Sequence, residues 1–184
     1  MRHVVFRVMK TPDYFTLFGL EPRLSLDAFD LEQRFYTLSR KLHPDRFVRA
    51  TPAEREQSVQ ASAVLNEAYR TLSNPIARVE YVLRREGIAD PESNDVPPDL
   101  LSEVFELNEA LDEVKAGHEE ARPQLEAAWR RFLTLLTEAD ADIDTLSMRY
   151  DRGDRTALGE LRALLTRRRF LAKTLSQMDG VLVP

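Results

Sequence analysis

Apolar residues recur at steps of three and four along most of the chain, and no stretch of five or six residues alternates cleanly between apolar and polar. This spacing predicts helices throughout. Proline and capping residues predict where several of them begin and end. The helices expected in the first half cover residues 13–20, about 26–42, 51–74 and 76–86.

The second half has a stricter pattern, in which apolar residues step by four and three over three long segments. Gly117 separates the first segment from the second, and Gly153 separates the second from the third, with Asp154 as an expected cap. Three long helices joined by short turns pack most readily as an antiparallel bundle. The sequence therefore predicts an all-α protein whose second half is an antiparallel three-helix bundle.

The stretch 88–98 differs from its surroundings, because it is rich in proline and acidic residues and has no helical periodicity. We interpret it as a linker between two domains. The expected domains cover residues 13–87 and 99–180. Residues 1–12 form a leader whose structure the pattern does not predict.

Composition excludes several classes of function. The 184 residues contain no cysteine and only three histidines, which are far apart in sequence, so neither a disulfide nor a metal site is expected. The formal net charge of −5 gives no support to general nucleic-acid binding. No apolar run approaches the roughly 20 residues that span a bilayer. We expect a cytoplasmic, monomeric protein without a cofactor.

The turn between the second and third helices contains the most distinctive residues, His43, Pro44 and Asp45, within KLHPDRF at 41–47. Proline disfavours helical geometry at the residue before it, so His43 should be extended and both polar side chains should project from a rigid hairpin. Such a pair can contact an arginine or a backbone group of a partner protein with little ordering cost. Two alternatives remain open: His43 and Asp45 are ordinary turn residues, or they are a catalytic pair, although no nucleophile or oxyanion donor is recognisable nearby.

The motifs around this turn resemble one family, the HscB-type J-domain co-chaperones of iron–sulfur cluster assembly. The similar segments extend from about residue 13 to residue 178. They are DYFTLFGL (13–20), the pattern LxxRFxxLSRKLHPD (31–45), LNEAYRTLSNP (65–75), RVEYVLRREG (78–87), ELNEALDE (106–113) and RRFLAKTL (168–175).

The resemblance implies a fold, two partners and no catalytic site. The first domain would be a J domain, a helical hairpin with short accessory helices, and the second a client-binding bundle. The chain would stimulate the ATPase of a DnaK-class chaperone (HscA type) and bring to it the scaffold protein on which iron–sulfur clusters are built (IscU type). It would thereby assist the maturation of iron–sulfur proteins without being an enzyme itself.

Two sets of residues would contact these partners. Positive side chains surround the turn in an otherwise acidic protein, which favours an acidic partner surface. Arg46 stands where the family commonly has lysine. The chaperone-binding set is His43, Pro44, Asp45, Arg34, Arg40, Lys41 and Arg46.

The helix expected from Asp99 to Val114 carries apolar and acidic residues beside its core stripe. In the resembled family this region binds the scaffold, although Ser102 stands where a bulky apolar residue is common. The alternative is that the apolar residues widen the core and the glutamates are merely solvated. The matching positions are Leu100, Leu101, Phe105, Glu106, Glu109, Glu113 and Phe170.

Two other functions remain alternatives. A J-domain adaptor for a different client would have the same first domain and a different binding surface in the second. A helical nucleic-acid-binding protein would use the basic run from Arg167 to Arg169, which is more simply a solvated helix flank.

Overall fold

The computed structural model describes residues 13–47, 50–88 and 96–182. The predicted leader at 1–12 and most of the predicted linker lie outside these residues. Every regular element among those described is helical, which confirms the all-α prediction. The chain divides into two compact units, Met1–Val82 and Leu83–Pro184. The domain boundaries at 87 and 99 remain predictions.

The first unit is organised around a helical hairpin. Helices α1 (Tyr14–Phe18) and α2 (Ala28–Leu42) are followed by a short 3-10 turn at Pro44–Phe47 and by α3 (Pro52–Ser73). The aromatic rings of Phe35 and Tyr69 stack with centroids 4.2 Å apart, whereas the end of α2 contacts the beginning of α3. Helices α2 and α3 therefore run antiparallel. Helix α4 (Pro75–Arg85) follows, and the unit boundary falls within it.

Local signals explain the ends of these helices. The Thr51 hydroxyl accepts from the backbone N–H of Glu54, and the Glu54 carboxylate accepts from that of Thr51, so the predicted capping box is present. Helix α1 ends at Gly19, whose φ of 64° is a conformation that glycine adopts without strain. The apolar stripe of α3 is buried at Leu65, Ala68 and Leu72.

The second unit is the predicted antiparallel three-helix bundle. A 3-10 turn at Pro98–Leu100 leads into α5 (Leu101–Lys115), a second at Glu119–Ala121 leads into α6 (Arg122–Asp151), and α7 (Ala157–Leu182) completes the bundle. Trp129 of α6 donates from Nε1 to Asp179 of α7 at 2.8 Å, near opposite ends of the two helices in sequence. One core includes Leu107 and Leu111 of α5, Leu125 and Phe132 of α6, and Leu171, Leu175 and Met178 of α7.

Candidate protein-interaction sites

The His43–Asp45 loop begins where α2 ends. His43 has φ −58° and ψ 130°, the extended geometry that the following proline was expected to impose. The backbone then enters the 3-10 turn at Pro44–Phe47, which the sequence pattern did not predict. The side chains of Pro44 and Arg46 lie outside the described part of the structure. The loop is therefore a sharp, short connection at the end of the hairpin.

The two polar side chains of this loop are in solvent and in contact with each other. The His43 side chain is 56% exposed and that of Asp45 is 85% exposed. Nδ1 of His43 accepts from the backbone N–H of Asp45 at 3.3 Å and lies 3.4 Å from Oδ2 of the same residue. Because Nδ1 accepts in the first contact, it cannot at the same time donate a hydrogen to Oδ2. Neither contact uses Nε2.

Such exposure suits recognition better than catalysis. A catalytic pair works best in a site that excludes water and holds a reacting atom near a nucleophile. His43 and Asp45 are instead presented to solvent at the end of a helix. The arrangement offers a partner protein one imidazole and one carboxylate on a turn whose backbone is already ordered.

Two serines of α3 support the loop, and the sequence interpretation missed them. The hydroxyl of Ser58 donates to the carbonyl oxygen of Leu42 at 2.6 Å, and that of Ser62 donates to the same oxygen at 3.1 Å. Ser58 is 4% exposed. A signal was present, because Ser58 lies seven residues before Leu65 on the buried stripe of α3, where an apolar residue is expected.

The predicted basic residues divide into two groups. Nε of Arg34 donates to Asp30 at 2.9 Å, and Nη1 donates to the carbonyl oxygens of Phe18 and Gly19 at 3.0 and 3.2 Å. Arg34 therefore ties α2 to the end of α1. Arg40 and Lys41 are exposed in the last turn of α2, beside the loop. These two side chains are the described cations that directly precede the loop in sequence.

The expected scaffold-binding residues of α5 differ sharply in exposure. Leu101 and Phe105 are 57% and 69% exposed, so neither widens the core. Leu100 is 2% exposed and lies in the core. The inclusion of Leu100 as a direct contact is therefore not supported by this geometry, because its side chain is already covered.

The remaining residues of that set lie on α5 and α7. Glu106, Glu109 and Glu113 are exposed on α5, and Ser102 is exposed in its first turn. Phe170 of α7 is half-buried against the core and lines a cleft that also includes Val104 and Asn108 of α5. The structure thus places Phe170 next to α5.

The basic run of α7 is engaged within its own unit. Nη1 of Arg167 donates to Asp99 at 2.6 Å, and this hydrogen bond lowers the pKa of the Asp99 carboxyl. Arg168 donates to Asp140 of α6. Arg167 and Arg168 are thus paired with carboxylates, which leaves less positive charge for a nucleic-acid backbone.

The described residues contain neither a helix long and apolar enough to cross a membrane nor a cluster of three or more potential metal ligands.

Comparisons with known proteins agree with the motifs. No protein-family model matches the chain. A protein of Neisseria meningitidis serogroup C named co-chaperone protein HscB homolog is 44% identical over 108 residues, which are 58% of this chain and 65% of that protein. A protein of Neisseria gonorrhoeae with the same name is 44% identical over 107 residues, which are 57% of this chain and 64% of that protein. The alignments thus span just under two thirds of the curated relatives.

Two solved structures share the fold over nearly the whole chain. Chaperone HscB from Vibrio cholerae has a TM-score of 0.67 and 29% identity, over 92% of this chain and 97% of that one. The human co-chaperone protein HscB has a TM-score of 0.68 and 28% identity, over 95% and 84%. The resemblance indicated by the motifs is confirmed, and this chain is a homologue of the HscB-type co-chaperones.

Proposed function

We propose that this chain is a cytoplasmic co-chaperone of iron–sulfur cluster assembly with two partners. Through the His43–Asp45 loop it stimulates the ATPase of a DnaK-class chaperone of the HscA type. Through the exposed residues of α5 and Phe170 of α7 it binds a scaffold protein of the IscU type. The homology to HscB-type co-chaperones supports this role.

One observation supports the chaperone half above all others. The imidazole and the carboxylate of the loop are exposed, on a turn fixed by proline and by hydrogen bonds from α3. Exposed cations stand beside them at Arg40 and Lys41. A rigid loop with positive neighbours fits an acidic surface with little loss of conformational entropy. The chaperone itself carries out the hydrolysis, and the loop changes only its rate.

The scaffold half is supported by the exposed apolar pair. Leu101 and Phe105 leave most of their surface in water, and acidic side chains border them. Apolar anchors within a polar rim are typical of protein-binding surfaces. Because both sites belong to one chain, a scaffold bound to the second unit is held at a high local concentration near the chaperone. This tethering couples ATP hydrolysis to client capture.

The test uses one variant in two assays. In the first assay, the chaperone's steady-state ATPase is measured against increasing concentrations of the co-chaperone. In the second, the scaffold is titrated calorimetrically into the co-chaperone. His43→Gln should abolish stimulation, because the imidazole is lost, and should leave scaffold affinity unchanged, because His43 belongs to the first unit.

Each half of the proposal has its own contrary outcome. Stimulation that survives His43→Gln would contradict the assignment of the loop. Wild-type protein that stimulates the chaperone but does not bind the scaffold would instead be a J-domain adaptor for a different client. Comparison of Leu101→Ala/Phe105→Ala with wild type in both assays completes the design, and that variant should lose only scaffold binding.

A further inference from the structure

The last carbonyl of α2 has an unusual environment. The final carbonyls of a helix lack partners within the helix and must find others. Helix α2 cannot continue past His43, since Pro44 has no N–H to donate and disfavours helical geometry before it. The carbonyl oxygen of Leu42, directly before the loop, accepts two side-chain hydrogen bonds instead, from Ser58 at 2.6 Å and from Ser62 at 3.1 Å.

Both donors come from one face of α3. Residues four apart are neighbours on a helix surface, so the two hydroxyls converge on a single acceptor. Ser58 is almost fully buried, and Ser62 is partly buried. The stripe to which Ser58 belongs is otherwise apolar at Leu65, Ala68 and Leu72. A buried hydroxyl needs a partner, and here the partner is the backbone that precedes His43.

We propose that Ser58 and Ser62 are positioning residues for the His43–Asp45 loop, an inference that rests on the proposed stimulation of a chaperone. Their hydrogen bonds fix the peptide group from which the loop departs, while Pro44 restricts the next residue. Together they keep His43 in the conformation that the partner binds. Without the hydroxyls, the Leu42 carbonyl turns to water and the last turn of α2 frays, so a smaller fraction of molecules presents the loop correctly.

This role predicts a specific kinetic pattern. The apparent affinity of the co-chaperone falls in proportion to the fraction of its molecules that are competent to bind. At a saturating concentration of co-chaperone, every chaperone molecule still binds a competent one. Ser58→Ala/Ser62→Ala should therefore raise the co-chaperone concentration for half-maximal ATPase stimulation, with the maximal rate unchanged. The expected rise is about five- to 30-fold, as for the loss of two ordinary hydrogen bonds from one state.

Two control variants separate positioning from general stability. Ser73→Ala removes an exposed hydroxyl of the same helix that bonds within α3, to Arg70, and should behave as wild type. Leu65→Ala removes a buried side chain of α3, 1% exposed, and leaves the hydroxyls of Ser58 and Ser62 in place. Stimulation by all variants is measured at a temperature where circular dichroism shows each to be folded. If Leu65→Ala raises the half-maximal concentration as much as the double variant does, the positioning role is refuted.

A rescue variant and a direct probe complete the test. Ser58→Ala/Ser62→Thr restores one hydroxyl and should recover part of the lost affinity. In the free protein, the amide NMR signals of His43 and of residues 45–47 should shift in the double variant and not in Ser73→Ala.

The outcomes also distinguish this inference from the function on which it rests. Wild-type protein that fails to stimulate the chaperone overturns both. If wild type stimulates, His43→Gln does not, and the double serine variant equals wild type, only the positioning role is overturned.

Discussion

Two adjacent leucines at the start of α5 should respond in opposite ways to the same substitution. Leu100 is 2% exposed and lies in the core of the second unit, whereas Leu101 is 57% exposed. Truncation of a fully buried leucine to alanine costs about 2–5 kcal/mol, because buried apolar contacts are lost and a cavity remains. Less than half of Leu101 is buried, so its truncation should lower the free energy of unfolding by about 1 kcal/mol or less.

For scaffold binding, the substitution of Leu101 should have the larger effect and that of Leu100 the smaller one. Truncation of an exposed anchor that becomes buried in an interface costs about 2 kcal/mol or more, which corresponds to roughly a 30-fold loss of affinity. Leu101→Ala should therefore weaken scaffold binding while the protein stays folded. Leu100→Ala should bind nearly normally wherever the second unit remains folded, because its side chain does not reach the partner.

The assay for stability uses the single tryptophan of the chain, Trp129, which packs against the core that contains Leu100. Its fluorescence is followed during urea unfolding, and the scaffold is then titrated calorimetrically into each variant in the absence of urea. Equal losses of stability for Leu100→Ala and Leu101→Ala would refute the assigned burial. A change of less than threefold in scaffold affinity for Leu101→Ala would refute its role as an anchor.

Two further predictions concern the turn between α6 and α7. Gly153→Ala should lower the free energy of unfolding by about 1 kcal/mol, because φ is 98° at this position. Gly159→Ala, within α7, should instead raise it, by no more than about 1 kcal/mol, and urea unfolding measures both changes. Hydrogen bonds from Thr156 and Arg149 lower the pKa of Asp154 to about 2. The ionised Asp154 carboxylate should therefore stabilise the fold fully above its pKa in the unfolded chain, about 3.9, and this contribution should be lost as the pH falls to about 2. The difference in free energy of unfolding between wild type and Asp154→Asn should shrink over that range.

The helices could be predicted from sequence because their signals are local. The capping box at Thr51 and Glu54 lies within four residues, and the left-handed turn at Gly153 depends on that single glycine. Asp154 was expected to cap the last helix, but α7 begins only at Ala157, and Asp154 accepts from the backbone N–H of Thr156 in the preceding turn at 3.0 Å. The extended backbone at His43 could be predicted equally well, because proline restricts the residue directly before it.

The contacts that support the sites could not be predicted in this way. The backbone carbonyls that accept from Arg34 lie 15 and 16 residues away, and Leu42, which accepts from Ser58 and Ser62, lies 16 and 20 residues from them. Such pairs depend on how two helices are rotated against each other, which periodicity does not specify. For the same reason, spacing placed Leu100 on the core stripe but left Leu101 open to either a buried or an exposed position, and the packed bundle shows that Leu101 is exposed.

The exposure of Phe105 has a calorimetric consequence. In the isolated chain its ring is 69% exposed and therefore hydrated. A protein that covers this ring and Leu101 releases that water, and burial of apolar surface makes the heat capacity of association negative. The enthalpy of complex formation should therefore become more favourable with each degree of warming, in contrast to a contact made by the glutamates alone.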